Sequence, residues 1–395
     1  MAGGGGGTRL SRTVGLLGLR YPGGPKLSEE RHATWLELFF DLVFVLALLG
    51  VTARLDTRAS PNATELAVAI VLYVLIQWSW IGQSFYDTRY DPDDTLHRLL
   101  VLAATVGAGA ITLGVPQAPS GLLLPVGYLI VRGCLLLMYL RVLTAGRSAW
   151  DLVAVYLTGF GTGWLLWAGS LAISPAVRPA VWIIALAIEL LTPWLGRRWL
   201  RRHPVHRTHL PERLGQFTII LLGATLTNLR DAVPTAHPPA RVVAAALAAF
   251  LLPASIWWIY ITYVNSRLAV PQLGSGQGYA YLHSPAGAAV LFLGWALGVV
   301  VYEIGQSRQM PLNARLVLGG SIVTWMLCGL GLHRFALGRL PRRRFIVGLA
   351  GITLAIVVTL VVTEPGLLLG LTSALLVGYA VVVSPQIAKA TKGHR

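Results

Sequence analysis

WLELFFDLVFVLALLGVTA, residues 35–53, holds only two charged side chains, Glu37 and Asp41, in nineteen positions. A helix crosses a hydrocarbon core of about 30 Å with about 20 mainly apolar residues, so this stretch is a candidate membrane span. The same reading along the chain gives twelve spans: Trp35–Ala53, Leu66–Phe85, Leu99–Val115, Leu122–Leu140, Leu152–Ile173, Val177–Leu195, Leu214–Leu229, Val242–Val264, Tyr281–Val301, Leu316–Leu332, Phe345–Val362 and Leu367–Ile387. The expected fold class is therefore all-α, a polytopic membrane protein with about 12 transmembrane helices.

Composition agrees. Hydrophobic residues make up 55% of the 395 and charged ones 12%, against about 25% charged in ordinary globular usage, and the mean hydropathy is +0.65. These values exclude intrinsic disorder, a disulfide scaffold and an ordinary cytosolic enzyme. Cys134 and Cys328 lie inside apolar runs and read as core residues. Residues 1–31 read as a flexible basic tail, since their one apolar piece, residues 14–19, is shorter than a signal-peptide core.

The formal charge of +16 becomes a topology signal when Lys and Arg are assigned to alternate sides. One side takes 24, the other 7, and Arg132 falls inside the fourth span. The positive-inside rule then puts both termini in the cytoplasm of a cell-membrane protein. The bilayer, and not nucleic acid, is the partner this charge implies.

An internal repeat is visible at long range. WIGQSFYDTR (residues 80–89) matches WIYITYVNSR (residues 258–267) at an offset of 178. Glu37 and Glu212 open matching apolar runs 175 apart, and Leu96-His97 matches Leu282-His283 at 186. The expected organisation is a tail (1–31), a first six-helix repeat (32–203) and a second (204–390). An even number of spans makes the two repeats parallel.

Ionisable groups inside spans are costly and mark interior or wet positions. At 1.5 Å per residue, Glu37 lies about 3 Å and Asp41 about 9 Å into the first span. Four apart, they share one helix face. A proton-accepting or cation-binding site competes here with carboxylates locked by a buried Arg. Arg132, about 15 Å into the fourth span, is the natural counter-ion for Asp41 or for Glu189, itself about 9 Å from the end of the sixth.

The loop read over Tyr86–Arg98 gathers Tyr86, Asp87, Arg89, Asp91, Asp93, Asp94, His97 and Arg98. It lacks the Gly and terminal Glu of an EF-hand; a helix N-cap at Asp94 or an ion-paired gate competes with a cation entry site. HPVHRTHLPER spaces His203, His206, His209 and Glu212 three apart, but Pro204, Pro211, Arg207 and Arg213 intrude, so His206, His209 and Glu212 are weak metal candidates and no metal is expected. No cofactor motif is present. Trp78/Trp80 and Trp257/Trp258 read as interfacial anchors. Gln216, Trp258 and His283 complete a polar set on the cytoplasmic side, and Glu303 lies on the other.

RHATWLELFFDLVFVLAL (residues 31–48) resembles the first helix of the bacterial low temperature requirement A (LtrA) membrane family. The resemblance continues through WSWIGQSFYDTRYDPDD, HRTHLPERLGQFTIILLG, the Trp257 pair, GYAYLHSP and VYEIG. By position it marks Glu37, Asp41, Tyr86, Arg89, Asp91, Asp94, Arg98, His209, Glu212, Arg213, His283 and Glu303 as characteristic. Two acids usual in such proteins are replaced here, by Ala224 and Thr262. The family name records a growth phenotype and implies no reaction.

The expected function is a transporter or channel for a small ion or solute with an intramembrane carboxylate site. The alternative is a membrane-embedded enzyme acting on a hydrophobic or lipid-like metabolite by general acid/base chemistry. An oligomer is compatible with either.

Overall fold

The computed structural model describes residues 32–56, 61–90, 94–144, 149–234 and 236–392. The basic tail, Asp91 and Asp93 lie outside the described residues. The helices are α1 Trp35–Ala53, α2 Ala63–Tyr90, α3 Thr95–Gly114, α4 Leu123–Thr144, α5 Trp150–Ser170, α6 Arg178–Leu195, α7 His209–Ala232, α8 Ala240–Ala249, α9 Leu251–Asn265, α10 Gln277–Gln306, α11 Leu312–Leu337, α12 Arg342–Val361 and α13 Pro365–Lys392, with one turn of helix at Arg197–Leu200. No strand occurs among the described residues.

Every expected span falls on a helix, and among the described residues eleven helical stretches are long and apolar enough to cross a membrane, α8 and α9 counting as one. The exception is α7, which is 24 residues long but carries Glu212, Arg213, Gln216, Asn228, Arg230 and Asp231. Large apolar side chains such as Phe345, Leu349, Leu354 and Leu360 on α12 are about half exposed, as lipid-facing residues are. The protein is thus an all-α polytopic membrane protein.

Local chemistry sets the helix ends. Thr34 and Glu37 form a reciprocal cap at the start of α1, Thr34 N donating to Glu37 Oε2 at 2.7 Å and Glu37 N to Thr34 Oγ1 at 3.2 Å. Asn62 and Glu65 repeat the device on α2. Asp94 caps α3, accepting from His97 N at 3.0 Å. The turn between α8 and α9 follows from Pro253, whose ring clashes with the carbonyl four residues earlier, that of Ala249. α2 runs on through Tyr86–Tyr90, which the sequence assigned to a loop; no Pro or Gly falls between Gly82 and Pro92.

The chain divides into two compact units. One contains the chain up to Ala47 and Leu75–Leu210; the other contains Leu48–Val74 and the chain from Pro211 onward. In the first, α4 packs on both α3 and α5, and α5 on α6. In the second, α10, α11, α12 and α13 pack in succession and α13 returns to α9. α10 is the most buried span; its Trp295 donates to the Leu55 carbonyl at 2.9 Å.

The α3–α4 contact depends on bare backbone. A Cβ on Gly127 would sit 2.5 Å from the Gly107 carbonyl oxygen, and one on Gly107 would sit 2.9 Å from that of Gly127. Such small-residue contacts let helices approach closely in lipid. Gly127→Ala is expected to cost about 1–3 kcal/mol through overpacking. Gly109→Ala, on open space in the same α3, should be neutral or mildly stabilising. Melting midpoints of the two purified variants check this; equal midpoints would remove the contact from the account.

Candidate functional site

Arg132 of α4 and Glu189 of α6 form an ion pair at 2.6 Å with no solvent exposure on either side chain. Tyr128, one turn before Arg132, donates its hydroxyl to Glu189 Oε2 at 2.7 Å and accepts from Arg132 Nε at 3.3 Å. Arg132 Nη2 donates to the Trp78 carbonyl at 3.2 Å, and the guanidinium lies 4.5 Å from the Phe160 ring centre. Two glycines make room for the pair. A Cβ on Gly82 would collide with Arg132 Nη1, and one on Gly163 would lie 2.6 Å from Glu189 Oε1. The arrangement neutralises both charges where neither could survive alone. Of the two counter-ions open to Arg132, the geometry selects Glu189.

Asp41 and Glu37 are both buried on α1. Trp80 of α2 donates its indole N–H to Asp41 Oδ1 at 2.6 Å. Trp78 and Trp80 are therefore interior groups and not interfacial anchors: both are at least 96% buried, and Trp80 satisfies its polar edge on a carboxylate. Glu37 uses one oxygen for the Thr34 cap and presents the other to His209 Nε2 at 3.4 Å. His209 is fully buried at the first position of α7. His206 Nδ1 accepts from His209 N at 3.3 Å and contacts Thr208 Oγ1 at 3.2 Å, while its backbone N donates to the Thr88 carbonyl. The three-residue histidine spacing builds this helix start. Among the described residues no group of three or more His, Cys, Asp or Glu is arranged to hold a metal ion.

The end of α2 forms a second polar layer in the same unit. Asp87 accepts from Gln83 Nε2 at 2.9 Å and lies 3.6 Å from His97 Nε2. Tyr86 packs against His97, Tyr90 and Tyr139. Arg89 is buried, donates to the His203 carbonyl and to Tyr156 Oη at 3.2 Å each, and lies 5.0 Å from the Phe85 ring centre. Asp94 holds Arg141 through two hydrogen bonds, at 3.0 and 2.5 Å. Burial opposes the Asp94 charge, but the bonds from Arg141 and His97 N outweigh it and keep the carboxyl below the ordinary 3.8. Arg98 is exposed on α3.

The second unit places its expected residues differently. Gln216 Nε2 donates to the half-buried Glu212 at 3.2 Å, and Arg213 is fully buried. Trp258, matched in sequence to Trp80, is 58% exposed. His283 is buried and engages the Tyr279 carbonyl at 2.8 Å. Glu303 pairs with Arg308 at 3.2 Å. Ala224 is buried, and Thr262 turns its hydroxyl onto the Trp258 carbonyl.

Several partners escaped the sequence reading. Tyr128 had a usable signal, lying four residues before Arg132 on one helix face. Thr34, three before Glu37, carried the capping signature. Arg141 and the Asp151–His203 contact at 2.7 Å had none, because they join elements far apart in the chain.

Two outcomes follow. Arg132→Leu strands a buried carboxylate and should cost about 3–5 kcal/mol, while Arg132→Met combined with Glu189→Leu should recover most of that; melting midpoints and membrane yield decide, and a single variant as stable as wild type would contradict the pairing. A carboxylate held low in the fold adds stability that is complete above its unfolded pKa and fades as the pH falls through the folded one. Asp94→Asn should therefore lower the midpoint near neutral pH, with the gap to wild type closing as the pH drops below 3.8.

The model of the bacterial low temperature requirement A protein family matches residues 32–382. The chain is also 26% identical over 286 residues to an uncharacterized protein of Rhizobium meliloti (strain 1021), spanning 67% of this chain and 68% of that one. The family match covers both compact units and takes in the α1 carboxylates, the Arg132–Glu189 pair and the histidine-rich start of α7. The chain belongs to the bacterial low temperature requirement A (LtrA) family.

Proposed function

We propose that this protein is a cell-membrane transporter or channel for a small ion or solute, with both termini cytoplasmic, in which Asp41 is the exchangeable carboxylate. The observation that carries the reading is the Asp41–Trp80 contact: a carboxylate about 9 Å along an apolar helix, fully buried, with a neutral indole donor at 2.6 Å. Glu37 lies one turn nearer the helix start, and His209 stands 3.4 Å from it. Three titratable groups thus step from the end of α1 toward its interior, the pattern expected of a proton or cation relay. The Arg132–Glu189 pair is closed on itself and serves as the fixed support. The replacement of two family acids by Ala224 and Thr262 favours the first unit as the place where exchange occurs.

Reconstitution into liposomes tests the reading. Under imposed pH, Na⁺ and K⁺ gradients, wild type is expected to dissipate at least one of them, and Asp41→Asn to slow that flux by about tenfold or more. Glu37→Gln should slow it by less, since Glu37 also caps its helix. Equal flux in wild type and Asp41→Asn would overturn the assignment of Asp41, and a folded wild type inert to all three gradients would overturn ion exchange itself.

A further inference from the structure

Helices α9 to α13 of the second unit enclose a cavity of about 40 Å³. Its polar wall includes Arg344, His333 and Tyr379, each at least 95% buried. Arg344 donates from Nη1 to the Tyr379 hydroxyl at 2.6 Å, and its guanidinium lies 5.1 Å from that ring centre. Arg344 Nε and His333 Nδ1 are buried without a hydrogen-bond partner.

What this guanidinium lacks is a counter-charge. Arg132 has Glu189, Arg141 has Asp94 and Arg308 has Glu303; among the described residues Arg344 makes no ion pair. The sequence explains why. α9, α11, α12 and α13 contain no Asp or Glu. Glu364 lies beyond the far end of α12, about 30 Å along the axis from Arg344, and Glu303 on α10 is about 25 Å along that helix from Ala286 in the cavity wall. The buried Arg178 and Arg315 also make no ion pair among the described residues but settle on backbone carbonyls. The acceptor for Arg344 among those residues is the Tyr379 hydroxyl, and a buried cation so sparsely satisfied favours an anion. Arg344 is also the third residue of the 20-residue α12, where free backbone N–H groups and the positive end of the helix dipole favour negative charge.

Size narrows the choice. A water needs roughly 10–15 Å³ of such space, so the cavity has room for about three, the bulk of a small tetrahedral oxyanion. Gly329 lines it, and a Cβ there would make only ordinary van der Waals contact, 3.9 Å from Arg344 Nη2.

We propose that Arg344, His333 and Tyr379 form a binding site for a phosphate-class oxyanion. The guanidinium supplies a planar fork of donors matched to such a group. His333 Nδ1 and the α12 N-terminus add to it. The group has two sources, free phosphate or the headgroup of a phospholipid. The lipid source deserves its own arm because α9 and α13 also flank an apolar groove of about 610 Å³ lined by Leu251, Trp258, Val377 and Val381. The site is independent of the exchange reading for Asp41.

The test uses the full chain in nanodiscs and reads the melting midpoint. In phosphatidylcholine discs, sodium phosphate is titrated against sodium chloride at equal ionic strength. In a parallel arm, discs containing phosphatidate are compared with pure phosphatidylcholine. A saturable rise of about 2–4 °C with phosphate assigns the free ion, and one with phosphatidate alone assigns the headgroup. Either gain should vanish in Arg344→Gln. If that variant does not fold, Gly329→Leu, which fills the space and leaves the guanidinium in place, should abolish the gain instead. No gain in either arm with wild type, or an undiminished gain in a folded variant, would overturn the site.

Discussion

A guanidinium and a carboxylate 2.6 Å apart and sealed from solvent impose the strictest condition on the first unit. Neither charge is tolerable alone at membrane depth, so α4 and α6 must form and meet in one register before either is stable. Glycines at positions 82 and 163 are where the two charged ends need space. Tyr128 closes the arrangement by donating to one member and accepting from the other. The Trp78 carbonyl ties α2 into the same point, and α2 is the helix that also carries Trp80, Asp87 and Arg89. The pair thereby fixes the frame in which the remaining polar groups of the unit are held.

Much of this was legible in one dimension because charge is so scarce. With sixteen acids in 395 residues, the few that fall inside apolar runs stand out, and Arg132, Glu189 and Asp41 could be named from depth alone. The helices were legible for the same reason: a span is a run of apolar residues, and Asp94 marked one end, while the Thr34–Glu37 and Asn62–Glu65 caps went unread. What escaped was pairing across the fold. Asp41 and Arg132 looked like partners because both sit deep, but depth gives position along a helix axis and says nothing of azimuth. Trp80 was read as an anchor because tryptophan favours interfaces; its indole N–H instead found a carboxylate. Arg344 entered only through the count of basic residues that sets orientation, and its burial depends on packing that no run of sequence reveals.

Position in a matched segment did not guarantee a matched environment. Trp80 is buried on Asp41, whereas Trp258 at the corresponding place is 58% exposed. Glu37 and Asp41 are both enclosed, while the equivalent Glu212 is half-buried and turned to Gln216. Trp80 meets the Asp41 carboxylate, whereas the residue 175 positions after Asp41 is the uncharged Gln216. The second unit has instead a cation without an acid, in helices that contain none. In the first unit Arg132 and Arg141 meet Glu189 and Asp94; in the second, Arg344 makes no ion pair among the described residues.

Glu189 and Asp41 make the distinction sharpest. Both are carboxylates about 9 Å from a helix end and both are fully buried. Glu189 faces a guanidinium, so its protonation would strand a buried cation. Asp41 receives a neutral N–H from Trp80, and an indole can donate to a carboxylate or, more weakly, to the carbonyl oxygen of a carboxylic acid. Protonating Asp41 therefore leaves an acceptor for the Trp80 N–H in place. The Trp80 contact thus tolerates either form of Asp41, whereas the contact between Arg132 and Glu189 is an ion pair.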